Sequence, residues 1–353
     1  MPIAKIASRR EGDASRPKPR HPELLRASFL GGGEIDFSIV VPAHNRPIRL
    51  GQCLQAIGNL AYPVTRYEVI VVDDGSEESV EPVVVPFLGR LNLTLLRQSN
   101  SGPAGARNAG AAAARGRYVA FTDDDCQPDP GWLGALAGRL TANPGCAAGG
   151  KTINGLAGNL FSSASQVLID YLYRHWNRDS DDALFIASNN LAFPRARFAE
   201  IRGFDANFPL AAAEDRELCE RWRSRGGRLV FAPDAIVNHF HALNLKTFLV
   251  QHFNYGRGAL MFRDIRRQRA ERRAPIQPGS FYLPLLNYAF TQDRGFRGVA
   301  VVMLVVLSQI AMPLGYLHQL YISRAETSAE SASDKSRDPG QLVVPEKPPS
   351  PRQ

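Results

Sequence analysis

The chain alternates short apolar runs with helix-like patterns, and each run stops at a proline or a polar cluster. Phe37-Ser38-Ile39-Val40-Val41-Pro42 halts at its proline, and Tyr67-Glu68-Val69-Ile70-Val71-Val72 runs into Asp73-Asp74-Gly75-Ser76. A third run covers residues 93–96. A fourth, Tyr118-Val119-Ala120-Phe121-Thr122, runs into Asp123-Asp124-Asp125. Uninterrupted apolar runs of this length read as strands buried on both faces. Residues 48–60 carry a helical pattern, and residues 104–114 are rich in alanine, the strongest helix former. Strand and helix in this alternation predict an α/β fold with a mostly parallel sheet and covering helices. Right-handed crossovers then bring the strand C-termini to one edge, where open α/β sheets hold ligands. Every polar cluster follows a strand end, so one shared site is expected.

Each cluster has a plain and a chemical reading. Asp73-Asp74-Gly75-Ser76 can be an ordinary Asp-Gly turn. Asp123-Asp124-Asp125 can be a solvated acidic turn, but three adjacent carboxylates repel one another and a turn needs only one. Hard cations such as Mg²⁺ and Mn²⁺ take oxygen ligands, and Mg²⁺ typically uses one or two carboxylates plus substrate phosphates. In Glu214-Asp215-Arg216-Glu217-Leu218-Cys219 the acids sit near a helix start, where they suit the helix dipole. The same position suits a general base that deprotonates a hydroxyl. His239 and His241 alternate after an apolar run, which turns both to one side and favours a metal-ligand reading over two structural histidines.

The ordered set closely resembles the family 2 glycosyltransferases. It comprises Val40-Val41-Pro42-Ala43-His44-Asn45-Arg46, Val71-Val72-Asp73-Asp74-Gly75-Ser76, Asn100-Ser101-Gly102-Pro103-Ala104-Gly105-Ala106-Arg107-Asn108 and Phe121-Thr122-Asp123-Asp124-Asp125. Ser188-Asn189-Asn190-Leu191-Ala192-Phe193, Gly203-Phe204-Asp205 and Glu214-Asp215 continue it, so it spans residues 36–242. The resemblance implies a GT-A fold, a Rossmann-like sheet joined to an acceptor-binding part. It implies an inverting transfer of one sugar from a nucleotide-diphosphate donor, expected to be UDP-linked, with Mn²⁺ or Mg²⁺ as cofactor. Pro42, Ala43 and Arg46 would contact the nucleoside, and Asp73 the base. Arg107 and Asp124 would lie on the donor side. Asp123 would touch ribose or metal, Asp125 would be the principal metal carboxylate, and His239, with His241 as fallback, a further ligand. Asp215 would be the catalytic base, with Asn190, Glu214 and Trp222 on the acceptor side. The family's processive synthases carry Gln-x-x-Arg-Trp; here Cys219-Glu220-Arg221-Trp222 keeps only Arg-Trp, so single transfer is expected.

Outside this block the reading is coarser. Residues 1–34 are expected to be a disordered arm, 35–242 the catalytic domain, 243–322 a helical C-terminal extension, and 323–353 a disordered tail. Cys53, Cys126, Cys146 and Cys219 form no CxxC pair and read as reduced cytosolic thiols. No apolar stretch follows the basic N-terminal residues, so no signal peptide is expected. Residues 298–317 contain no charge and are about long enough to span a bilayer. The arginine-rich residues 257–273 precede them, and are expected to face anionic lipid. The other reading is a buried helix packing on the catalytic domain; the membrane reading, which is preferred on length and flanking charge, gives a cytoplasmic protein at the inner face of the cell membrane, with a glycan, lipid or small-molecule acceptor.

The net charge of +8 could also meet nucleic acid. The basic run lacks interleaved aromatics and any nucleic-acid motif, so no such partner is expected. A metal-dependent nucleotidyltransferase is the alternative enzyme. Its glycine-rich phosphate loop would have to be Gly31-Gly32-Gly33, which precedes the first of the four runs.

Overall fold

The computed structural model describes residues 23–27, 33–208, 212–269, 279–293 and 295–335. The chain runs β1 (Glu23–Ala27), β2 (Phe37–Ala43), α1 (Pro47–Gly58), β3 (Tyr67–Asp74), α2 (Glu81–Val84), β4 (Leu93–Gln98), α3 (Gly102–Ala113) and β5 (Tyr118–Phe121). It continues through β6 (Cys126–Pro128), α4 (Trp132–Ala142), β7 (Ala147–Asn154), α5 (Leu160–Trp176), β8 (Leu191–Pro194), α6 (Arg195–Glu200), α7 (Glu214–Ser224) and β9 (Leu229–His239). Three helices follow: α8 (Leu245–Gln268), α9 (Gly279–Gln292) and α10 (Gly295–Lys335).

The described strands form one sheet in the order β1-β4-β3-β2-β5-β8-β7-β9-β6. The expected parallel arrangement holds from β4 to β5. Beyond β5 the sheet is mixed, because β8 runs antiparallel to both β5 and β7. Alternate residues of β2 and β3 supply two different cores. Ile39, Val41, Val69 and Val71 pack with Leu50, Leu54 and Ile57 of α1 and Trp132 and Leu136 of α4. Val40, Ile70 and Val72 pack with Ala104 and Ala106 of α3 and Leu218 and Trp222 of α7. Burial on both faces explains why these strands read as continuous apolar runs.

The arm is not wholly irregular: Glu23–Ala27 pairs antiparallel with β4 and covers the sheet edge. Edge coverage needs backbone pairing rather than an apolar pattern, so composition does not reveal it. The expected tail is corrected likewise, since α10 continues to Lys335; residues 1–22, 28–32 and 336–353 lie outside the described residues. All four cysteines are free and buried.

The helical extension has its own core, and α5 from the catalytic segment belongs to it. Val167, Leu168 and Tyr171 pack with Phe248, Phe281, Leu285, Val301 and Val305. α8 starts with a capping box, in which the Asn244 side chain accepts from the Thr247 amide and the Thr247 hydroxyl accepts from the Asn244 amide, both at 2.9 Å. Glycines set its spacing to α10. A Cβ at Gly256 would stand 1.8 Å from the Met312 carbonyl oxygen, and one at Gly315 would stand 1.8 Å from that of Phe253.

The basic run differs from expectation. Arg266 pairs with Glu220, and Arg269 lies 2.5 Å from Glu217, both acids being on α7. Arg257 donates to Gln319 at 3.0 Å, and Arg263 donates to Tyr316. These arginines join the extension to α7 and α10 rather than facing lipid, because α7 presents buried or half-buried acids to them. Arg272 and Arg273 lie outside the described residues. The stretch Gly295–Ala325 is long and apolar enough to cross a membrane. In the fold one side of it is packed: Val301, Val305 and Ala311 are buried. Its other side exposes Phe296, Val299, Met303, Ile310, Leu314 and Leu317, an apolar stripe at helical spacing.

Candidate active site

The triple aspartate occupies the turn between β5 and β6, and its three carboxylates have three different surroundings. Asp123 accepts from Arg107 Nη2 at 2.8 Å. Asp124 is fully buried, with Arg46 Nη2 at 2.8 Å from its Oδ1. Asp125 faces Arg46 Nη1 at 2.5 Å on one oxygen and His239 Nε2 at 3.3 Å on the other. The Arg46 fork thus spans Asp124 and Asp125, a planar bidentate geometry available to arginine and not to lysine.

Sheet pairing brings His239 here. β6 and β9 pair antiparallel with Cys126 opposite His239, and the Phe240 amide donates to the Asp125 carbonyl at 2.8 Å. Burial opposes the charge on Asp125, but the His239 hydrogen bond and the charges of His239 and Arg46 outweigh it. They hold the carboxyl well below the usual range. Asp124 shows the opposite balance: burial and its two acidic neighbours overcome Arg46 and push it up to about 7. His239 is raised, since Asp125 outweighs its desolvation; His241 is pushed down to about 4 by burial and by His239.

Asp125, Cys126 and His239 offer ligand atoms within 4.8 Å of one another. Cys126 is fully buried in the core and its thiol is pushed up by desolvation, so it is a poor donor. Asp125 and His239 remain, one carboxylate oxygen and one imidazole nitrogen. Two protein ligands suit a divalent cation that completes its shell with phosphate oxygens and water. The donor set therefore fits Mn²⁺ or Mg²⁺.

Arg107 links this turn to α7. It is buried on α3, and its Nη1 donates to Glu214 at 3.1 Å while Nη2 holds Asp123. Glu214 is pushed up to about 7 by burial and by the adjacent Asp215 charge, against Arg107. Asp215 is raised as well, chiefly by burial. Its Oδ1 accepts from the Arg216 amide at 2.8 Å. Before the two acids, Ala213 takes φ 72°, a left-handed conformation unusual for a residue with a Cβ. α8 presses on this bend, because a Cβ at Gly258 would lie 2.3 Å from the Ala212 carbonyl oxygen.

One cavity of about 650 Å³ gathers Arg46, Arg107, Asp123, Asp125, Glu214, Asp215, His239 and His241. Other expected residues lie elsewhere. Asn190 is fully buried; it donates to the carbonyls of Lys151 and Ala235 and accepts from Trp132 Nε1. It holds strands together and cannot face an acceptor; its neighbour Asn189 lines the cavity instead. Trp222 is fully buried against Phe193 and donates to the Arg228 carbonyl, so it too is corrected from acceptor contact to core. Asp124 is fully buried outside the cavity lining and lies against Arg46. Pro42, Ala43 and Asp73 stand at the ends of β2 and β3, outside the cavity lining. Asp73 accepts from the Ser76 amide at 3.0 Å and lies 3.5 Å from Arg97. Sequence reasoning missed the wall formed by α5 and α8. The available signals were the Asn244 capping box and the Asn159 side chain, which caps α5 at the Ser162 amide.

A half-parallel, half-mixed sheet with acids at the strand ends defines the GT-A fold. The chain is similar to the mannosyltransferase PcManGT from Pyrobaculum calidifontis, solved in complex with GDP-Man and Mn²⁺: the TM-score is 0.54 at 18% identity, over 86% of this chain and 81% of that one. Residues 38–202 match the family Glycosyl transferase family 2. It is 29% identical over 254 residues to a pre-mycofactocin glycosyltransferase of Mycobacterium tuberculosis, covering 70% of this chain and 50% of that protein. Against glycosyltransferase AglE of Haloferax volcanii it is 35% identical over 98 residues, 27% of this chain and 32% of that one. The chain thus spans half or less of the length of these two curated relatives.

Proposed function

We propose that the chain is an inverting glycosyltransferase that moves one sugar from a nucleotide-diphosphate donor to an acceptor hydroxyl. The observation that carries this is the convergence of Asp125, His239, Arg107 and Asp215 on one cavity. Asp125 and His239 would hold a divalent cation, which would supply charge neutralisation for a leaving diphosphate. Arg46 and Arg107 are fixed cations beside the same turn and suit a phosphate-bearing donor. Pro42, Ala43 and Asp73, at adjoining strand ends, would hold the nucleoside. Asp215, raised by burial and facing the cavity, accepts the proton of the attacking hydroxyl. No protein nucleophile is needed, and a single displacement inverts the anomeric centre.

Single transfer accords with the role of the Arg-Trp pair. Arg221 is tied to Glu217 at 2.7 Å and to the Gly203 carbonyl at 2.6 Å, while Trp222 is core. Neither is free to grip a growing polymer. The exposed stripe on α10 supports peripheral attachment to a membrane surface along one helix face.

The test is nucleotide release from a panel of uridine and guanosine diphosphate sugars with Mn²⁺ or Mg²⁺. Asp215→Asn should lower turnover by roughly 10²–10⁴-fold, the contribution of a positioned base. Wild-type turnover in the folded variant rejects the assignment. Pyrophosphate in place of free nucleoside diphosphate would identify a nucleotidyltransferase instead.

A further inference from the structure

The cavity extends well past the reactive groups, and its character changes as it does. The carboxylates, His239 and Arg107 stand on the sheet-edge turns, on α3 and at the start of α7. Much of the remaining wall comes from α5 and α8, with Met312 of α10. α5 contributes Leu168 and Leu172, and α8 contributes Val250, residues that line the cavity with Met312. A pure sugar acceptor would leave these apolar side chains unmatched, because each apolar group gains by contact with another. Polar side chains share this wall, among them Ser162, Ser165, Gln166, Asn254 and Tyr255, and a further one is incompletely paired. Gln251 lines the cavity and gives its amide hydrogen to Tyr255 Oη at 2.6 Å, yet its Oε1 is buried without a hydrogen-bond partner. A buried acceptor oxygen is costly unless a ligand supplies the donor.

We infer that the acceptor is an amphipathic alcohol: its hydroxyl meets Asp215, an alkyl or aryl body lies along Leu168, Leu172, Val250 and Met312, and an N–H or O–H on it donates to Gln251. This rests on the transferase reading above and names the acceptor class for that site. The cavity volume of about 650 Å³ leaves room for such a body beside a donor sugar. Val250 is half exposed, so its substitution leaves the packed core intact.

The experiment measures binding of methyl, phenyl and octyl β-glucosides by titration calorimetry, with octyl glucoside below its micellar concentration. Octyl or phenyl glucoside should bind at least tenfold tighter than methyl glucoside, since each buried methylene is worth roughly fourfold. That preference should fall at least fivefold in Val250→Asn and in Leu172→Asn. It should persist in Ile310→Ser, which alters only the outer face of α10 and reports adsorption there. Thermal midpoints check that each variant is folded. Equal affinity for all three glucosides, or a preference that survives both cavity substitutions, overturns the inference. The transferase reading is tested apart from this, by nucleotide release without any glucoside. A protein that releases nucleotide but shows no preference keeps the activity and loses the proposed acceptor class.

Discussion

Replacing Gly256 with alanine should destabilise the protein, although alanine is the better helix residue. Inside an exposed helix the exchange gains about 1 kcal/mol. At Gly256 the new Cβ would stand 1.8 Å from the Met312 carbonyl oxygen and 2.9 Å from the Tyr316 amide nitrogen. Ordinary contact needs about 3.4 Å, so α8 and α10 must separate by about 1.5 Å, and the obstacles are backbone atoms that cannot rotate away. A gap of 0.5–1 Å already forfeits about a quarter to a half of each dispersion contact. Overpacking of this kind costs about 1–3 kcal/mol, occasionally more. We expect a net loss of up to about 2 kcal/mol after the propensity gain. Gly138→Ala is the matched control, because it lies within α4 and nothing approaches its Cβ position within 4 Å. That variant should gain up to about 1 kcal/mol. Urea unfolding followed by circular dichroism reads both. A Gly256→Ala protein as stable as Gly138→Ala would refute the close crossing.

Other consequences are as direct. Asp125→Asn and His239→Ala should each weaken Mn²⁺ binding by at least tenfold in calorimetry, while Cys126→Ala should not; equal effects from all three would reject the two-ligand set. Transfer should fail toward acid, because Asp215 and Glu214 are both held above their ordinary values and a protonated base cannot accept. With Asp215 raised chiefly by burial, the acid limb should lie above that of a free carboxylate, and a rate that stays flat down into the ordinary carboxylate range contradicts the assignment. Folding should follow the same sign. An acid whose folded value is raised adds stability below its unfolded value and loses it as pH rises through the folded one. For Glu214 the loss should run from about 4.5 to about 7, visible in Glu214→Gln as a flatter stability profile. Vesicle flotation should recover wild-type protein and lose a Met303→Ser/Ile310→Ser double variant; equal recovery rejects the stripe as the contact.

The first half of the fold is legible in the sequence because its strands are buried on both faces. Val40 and Val41 serve opposite cores, so no alternation masks the strand. Of the pair Asp125 and His239, the first is legible in the sequence and the second far less so. Their proximity depends on β6 pairing with β9 across more than 100 residues, and a three-residue edge strand leaves almost no pattern. Asn190 and Asn189 are indistinguishable in sequence, yet the short turn points one at Trp132 and the other into the cavity. Trp222 reads as a functional aromatic beside Asp215, but seven residues along α7 place it in the core. The arginine run reads as membrane-facing because its partners, Glu217 and Glu220, lie some 50 residues earlier.

α8 touches its two neighbours through glycines on nearly opposite sides. Gly256 meets α10, and Gly258, two residues on, meets the bend that carries Ala213 and Asp215. Two residues turn a helix by about 200°, so α8 stands between α10, whose outer side carries the apolar stripe, and the bend before Asp215. The arrangement works as a spacer of set thickness, roughly 10–12 Å across the intervening helix. Any surface that received the stripe would therefore meet the cavity at a fixed height, and a side chain added at either glycine would alter that height along with the stability.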